Sequence, residues 1–359
     1  MKSNKLLLLA VVTLLALLAA FFMSKHRAPT TSLETQTLFP ELLERVNEIK
    51  TIELAKHNRK LSLAELNGTW VISNADNYPA DFGKVKSTLL ELAELEILAN
   101  KTRNAERYER LGVEDPFTDG ANSLLLSVKD GGSNILASLI VGKARHSKAA
   151  EDKAGLYVRL PEQDQALLVE GKLDVSANVS DWFTRELFNI GSSRIKQVEI
   201  LHSDGSSVNL SREQDIDNLA VMNIPEGKEA QSDVIITRMG TLLEDIFVDN
   251  VIKAEKLDSA EQTIARVETF DGLTVTITSA RLDETNYSSF EFSAKEAASE
   301  SDSEDEGKET SRLEEAAELN RRLQGWAFAI PDFKFELFTR TLDSLTRTIE
   351  AKETEAGTE

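Results

Sequence analysis

The run from Leu6 to Met23 contains only apolar residues, alanines and a single Thr13. It is flanked by Lys2 and Lys5 before it and by Lys25, His26 and Arg27 after it. A helix of that length at 1.5 Å per residue reaches roughly 27 Å, close to the ~30 Å hydrocarbon thickness of a bilayer. Its hydrophobicity runs all the way round, which a helix facing water on one side could not sustain. A cleaved signal peptide is the competing reading, but its apolar stretch typically covers about 7–15 residues and ends in small residues. Here the stretch is longer and closes with Phe21, Phe22 and Met23, so the sequence predicts an uncleaved anchor. Positive charge on both flanks does not set the orientation, since the positive-inside rule compares the two sides. A five-residue tail is too short to be a domain, and long domains translocate largely regardless of charge. The expected topology is a short cytoplasmic tail over 1–5, a single transmembrane helix over 6–23, and a body on the periplasmic or extracytoplasmic side of the inner membrane.

The body is acidic. Across 359 residues, 61 Asp and Glu against 41 Lys and Arg give a formal net charge of -20. Such a surface repels a phosphate backbone, so nucleic acid is not an expected partner. It also repels anionic headgroups, which leaves hydrophobic insertion as the route to the membrane. The chain has no Cys. That excludes thiolate catalysis, thiolate metal sites, lipid attachment at Cys and disulfides together.

A linker over 24–37, rich in Thr, Ser and Pro from Ala28 onward, leads into two stretches that repeat one order of events. In the first, 38–178, an amphipathic stretch at Leu38 to Val46 precedes an alternating segment at Ile49, Ile52 and Leu54. A strand follows at Trp70-Val71-Ile72, and Tyr78-Pro79-Ala80-Asp81 supplies a turn and N-cap for a helix through Val85, Leu89, Leu92, Leu95 and Leu98. Ser123 to Lys129 and Ile135 to Val141 read as a hairpin about Asp130-Gly131-Gly132. Strands are also predicted at Leu156 to Leu160 and Ala166 to Val169. In the second, 179–293, Trp182-Phe183 and Leu187-Phe188 precede Ile195 to Ile200, as Leu38-Phe39 precedes Ile49 to Leu54. Then come Val208 to Leu210, a helix through Val234, Ile235, Leu242, Leu243 and Ile246, and a hairpin about Asp271-Gly272. Corresponding pieces lie roughly 150 residues apart, far beyond the ~20–50 residue period of a solenoid. The expectation is an α+β fold of two tandem duplicated modules, with antiparallel sheets and packed helices.

From 294 to 318 the sequence turns acidic and low in complexity, with Ser301 to Glu306 reading Ser-Asp-Ser-Glu-Asp-Glu. Such a run lacks the apolar content to pay for ordering and is expected to be a disordered insertion. The C-terminal segment, 319–351, passes through Gly325 to Pro331 and is expected to end in an amphipathic helix carrying Phe335, Phe338, Leu342, Leu345 and Ile349, packed on the second module. Residues 352–359 form a tail.

Several of these pieces together resemble a known family. Trp70-Val71-Ile72, Tyr78 to Asp81, a helix of paired leucines, Tyr108-Glu109-Arg110-Leu111-Gly112-Val113 with Pro116, Val141-Gly142, Tyr157-Val158-Arg159 and the closing Gly325 to Pro331 are similar to the bacterial domain of unknown function 4340 family. One departure is the stretched Tyr-Glu-Arg-Leu-Gly, where the family's turn is more compact. The resemblance implies a membrane-tethered extracytoplasmic protein, in some genomes encoded beside ABC-type transport components related to gliding-motility proteins. It supplies no catalytic residues.

No residue is singled out as catalytic, cofactor-binding or metal-ligating, and no cofactor is expected. His26, His57, His146 and His202 lack metal-binding spacing such as His-x-x-x-His. Asp302 to Gly307 starts like a calcium loop but places Leu313 where the bidentate Glu belongs. Gly131-Gly132 sits in a hairpin, not between a strand and a helix as a phosphate loop requires. No Gly-x-Ser-x-Gly elbow is present. Trp70, Trp182 and Trp326 lie in apolar stretches, where core filling outweighs a sugar-stacking platform. The leading expectation is a non-enzymatic accessory or interaction protein beside a membrane complex such as an ABC-type transport system; the alternative is a cell-envelope glycan- or peptide-binding module.

Overall fold

The structure, a computed structural model, describes residues 36–145, 155–294 and 303–349. Alternation of apolar and polar side chains builds most of it. In β1 (Ile49–Lys56) Ile52 and Leu54 point inward, opposite Leu63 and Leu61 of β2 (Arg59–Leu66). The same sheet takes in β3 (Thr69–Ile72), β4 (Tyr78–Pro79), β5 (Glu96–Asn100), β6 (Leu124–Asp130), β7 (Ile135–Arg145), β8 (Gly155–Arg159) and β9 (Ala166–Glu170). Its strand order is β4-β3-β2-β1-β6-β7-β8-β9-β5, and every pairing is antiparallel. Helix α1 (Phe82–Ala93) starts where the Asp81 carboxylate accepts the Lys84 N–H at 3.1 Å, and it lays Val85, Leu89 and Leu92 on the sheet's inner face.

Farther along the chain come β10 (Glu186–Phe188), β11 (Ile195–Leu201), β12 (Ser207–Ser211), β13 (Ala220–Val221), β14 (Lys228–Ala230), α2 (Asp233–Gly240), β15 (Ile246–Phe247), β16 (Val251–Lys253), β17 (Gln262–Thr269), β18 (Leu273–Leu282) and β19 (Thr285–Ala294). They are followed by α3 (Ser303–Leu323), β20 (Trp326–Ala329), α4 (Asp332–Phe338) and β21 (Thr346–Thr348). The second large sheet has the order β13-β12-β11-β17-β18-β19-β20-β16, again antiparallel. Two small ribbons, β10-β15 and β14-β21, complete the described pairings.

One buried apolar cluster runs through both sheets. At their junction Tyr78 packs edge-to-face on Trp326 at 4.9 Å, Phe183 at 5.5 Å and Phe328 at 5.8 Å between centroids. Beside it the Asp76 carboxylate accepts from the Lys253 N–H at 3.1 Å and the Lys256 ammonium at 2.7 Å. The Lys256 hydrogen bond holds the Asp76 carboxyl below its ordinary value.

The α+β, antiparallel character matches the sequence reading, and several elements differ from it. The helix expected to reach Leu98 stops at Ala93, because Glu96–Asn100 finds a ladder partner in β9. The helix expected to reach Ile246 stops at Gly240, and Ile246–Phe247 pairs with β10. At Leu38 to Val46 only Leu42–Arg45 is α-helical. Residues assigned to the linker reach the body, since Thr37 bridges to Glu96. Instead of one C-terminal helix there are α4, a helical turn at Leu342–Leu345 and β21, the last held by Ala230↔Thr346 pairing.

The end of the expected disordered insertion is a packed helix. Ala316, Leu319 and Leu323 lie on one face of α3 at helical spacing and are buried, while Glu315 bonds to Arg194 at 2.9 Å. A few apolar positions on one stripe anchor the helix in spite of its charge. Among the described residues no helix is long and apolar enough to cross a membrane; Leu6 to Met23 lies outside them.

Candidate functional site

Part of the set that carries the family resemblance, Tyr108 to Val113, Gly142 and Tyr157 to Arg159, meets on one face of the first sheet, apart from the main core. Gly112 has φ +70, ends the helical turn Tyr108–Leu111, and brings that turn against β7. A Cβ on Gly142 would lie 2.6 Å from the Leu111 carbonyl and 2.8 Å from that of Gly112, so only glycine permits the approach. The buried Arg159 guanidinium stacks on Tyr108 at 4.7 Å and donates to the Val113 carbonyl at 3.0 Å and the Gln163 carbonyl at 3.2 Å. This constellation is structural: the Arg159 Nε and Nη1 donors are both spent on backbone oxygens.

Next to it a cleft of about 700 Å³ opens at the end of the sheet. That volume lies within the ~300–1,000 Å³ usual for ligand sites. Its floor is apolar, made by Leu124, Val141, Leu156 and Leu173. One wall is the two-residue turn between β1 and β2, where His57 takes φ +50 and its N–H bonds to the Pro116 carbonyl at 2.6 Å. The turn carries Lys56, His57, Asn58 and Arg59 to the rim. The facing wall is the chain from Leu173 to Asn178, which belongs to no strand. Asp119 and Asn122 close a third side.

Charge in the cleft is unevenly compensated. The Asp174 carboxylate pairs with Lys84 at 2.6 Å, which holds its pKa below the usual value. Asp119 Oδ1 lies 3.6 Å from His57 Nε2. Arg59 reaches only the neutral Asn178 Oδ1, at 2.7 Å, and Lys56 has no partner among the described residues. The arrangement therefore leaves Lys56 and Arg59 at the rim without a carboxylate partner, with the exposed Asp119 carboxylate, amide groups and an apolar floor around them.

The second sheet has a cleft of about 430 Å³ at its own end, bordered by His202, Glu261 and Arg281. There His202 Nε2 meets the Arg340 carbonyl at 3.2 Å and Nδ1 meets Thr263 Oγ1 at 3.4 Å. His26 and His146 lie outside the described residues. Among the described residues no cluster of three or more His, Asp or Glu could hold a metal ion. Ser303 to Gly307, the described part of the calcium-like motif, is helical. Trp70 and Trp182 are buried, and Trp326 is half-buried with the Lys253 ammonium 3.5 Å from its ring centroid.

Of the cleft residues, sequence reasoning weighs only His57 as a possible ligand, and sets it aside; Leu124, Val141, Gly142 and Leu156 enter it as strand or family-resemblance residues. The available signal was the local Lys56-His57-Asn58-Arg59 run in a chain of opposite charge. A family model described as Domain of unknown function (DUF4340) matches residues 70–264, from β3 in the first sheet into β17 in the second. No curated protein matches the chain.

Proposed function

The chain belongs to the family described as Domain of unknown function (DUF4340), and from that premise we propose that it is a single-pass membrane-anchored accessory protein whose body lies outside the cytoplasm. The observation that carries this reading is the charge-free run from Leu6 to Met23, apolar but for Thr13, ahead of a large acidic body. Within that reading the body is a tandem duplication. The order β3-β2-β1-β6-β7-β8-β9-β5 runs parallel to β13-β12-β11-β17-β18-β19-β20-β16, strand for strand along the chain, which supports it. The junction of Tyr78 with Trp326 and Phe328 lets the two sheets act as one rigid platform.

The partner in this proposal is a membrane complex, an ABC-type transport system being the one the family resemblance suggests. Purification of the full chain in detergent through a C-terminal tag tests it. Recovery of the same integral-membrane transport components at native abundance is the expected result, and consistent recovery of the protein alone would overturn the accessory role. A reporter enzyme fused after Glu359 and active only outside the cytoplasm tests the orientation separately.

A further inference from the structure

We infer that the cleft at the end of the first sheet binds an extended peptide that ends in a free carboxylate. This goes beyond membrane tethering and stands independently of it.

Three features of the cleft converge on that ligand. The first is a wall that carries unpaired backbone groups. The chain from Leu173 to Asn178 borders the cleft along its length and lies outside both sheets. Its Val175 and Ala177 main-chain groups make no hydrogen bond among the described residues, while the neighbouring Ser176 carbonyl is taken by Trp182 Nε1 at 2.9 Å. Free main-chain N–H and C=O groups beside a cleft can pair with the backbone of a bound peptide. The second feature is the pair of cations on the opposite wall. Lys84 neutralises Asp174, so Lys56 and Arg59 together outweigh the exposed Asp119 carboxylate and leave the rim with an excess of positive charge. In a chain of net charge -20 this local positive rim selects a carboxylate. The third is the floor of Leu124, Val141, Leu156 and Leu173, which offers aliphatic contact to side chains placed between the paired backbone and the captured terminus. Because no Phe, Tyr or Trp ring lines the cleft, a saccharide would lack the broad stacking face it usually finds.

The test uses the full-length protein in lipid nanodiscs and two probes of one sequence, acetyl-Ala-Leu-Val-Leu-Ala as the free acid and as the C-terminal amide, measured by calorimetry. The expected result is saturable binding of the acid at least tenfold tighter than the amide. The double variant Lys56→Gln, Arg59→Gln should bring the acid down to the level of the amide. Lys196→Gln, on an exposed position of β11, should leave both affinities unchanged. Both cleft substitutions flank a surface turn, at the paired ends of β1 and β2, and an unchanged circular dichroism spectrum and melting temperature would show that folding is intact. Equal binding of acid and amide, no binding of either at millimolar concentration, or an acid affinity unaltered in the folded double variant would each overturn the inference.

Discussion

At the scale of single residues, the fold depends on a few close approaches that tolerate no substitute. Gly142 is the clearest, because the atoms its Cβ would meet are the backbone oxygens of Leu111 and Gly112 together with Val113 Cγ1 at 2.7 Å. Backbone cannot step aside as a flexible side chain can, so Gly142→Ala is expected to cost about 2–3 kcal/mol, the upper part of the range for overpacking. Gly272 makes a useful contrast: it has φ +89 with open space around its missing Cβ, and Gly272→Ala is expected to cost only about 1 kcal/mol of backbone strain. Urea denaturation of the two variants side by side checks the order. Arg159 belongs to the same turn. Its replacement by Met removes the donors to Val113 and Gln163 while keeping bulk under Tyr108, and should lower stability by more than the loss of one neutral hydrogen bond, about 1 kcal/mol.

At the scale of elements, α3 does for β19 what a full-length neighbour would otherwise do. β20 pairs with β19 only from Tyr287 to Ser289, which leaves the ladder groups of Phe292 open. The Asn320 side chain fills the gap, accepting from the Phe292 N–H at 2.9 Å and donating to the Phe292 carbonyl at 2.6 Å. Asn320→Ala should therefore raise amide exchange at Phe292 selectively, with the β17-β18 hairpin keeping its protection; unchanged exchange at Phe292 would show that the amide contact contributes nothing. These elements also show what could be read ahead of the structure. The hairpin about Asp130 to Gly132, the N-cap Asp81 and strand β11 follow from local alternation and turn chemistry, which are sequence properties. Strand β5 was hidden because Leu92, Leu95 and Leu98 continue a helical spacing, and only the ladder with β9 decides between the two. Helix α3 was hidden because three buried residues hold a stretch whose composition is otherwise that of a solvated chain. The cleft was illegible for a different reason: its walls come from stretches more than a hundred residues apart, brought together by strand order alone.

At the scale of the molecule, the two sheets share a core and are pinned at their margin by Asp76 with Lys256 and the Lys253 N–H. The Asp76 carboxyl is held low by that contact, and Asp174 by Lys84. A carboxyl with a depressed folded-state pKa contributes stability that is full above its unfolded value, about 3.9, and is lost as the pH falls through the folded value. Stability should thus decline on acidification below about pH 4, and Asp76→Asn should shrink the difference in urea midpoint between pH 6 and pH 3. The whole account of function turns on the tether. Alkaline carbonate extraction of cell membranes, followed by intact-mass measurement of the protein in the pellet, tests it most directly. The account requires a pelleted species that still contains residues 6–23; a mature chain that starts beyond Met23, or one released into the supernatant, would contradict it.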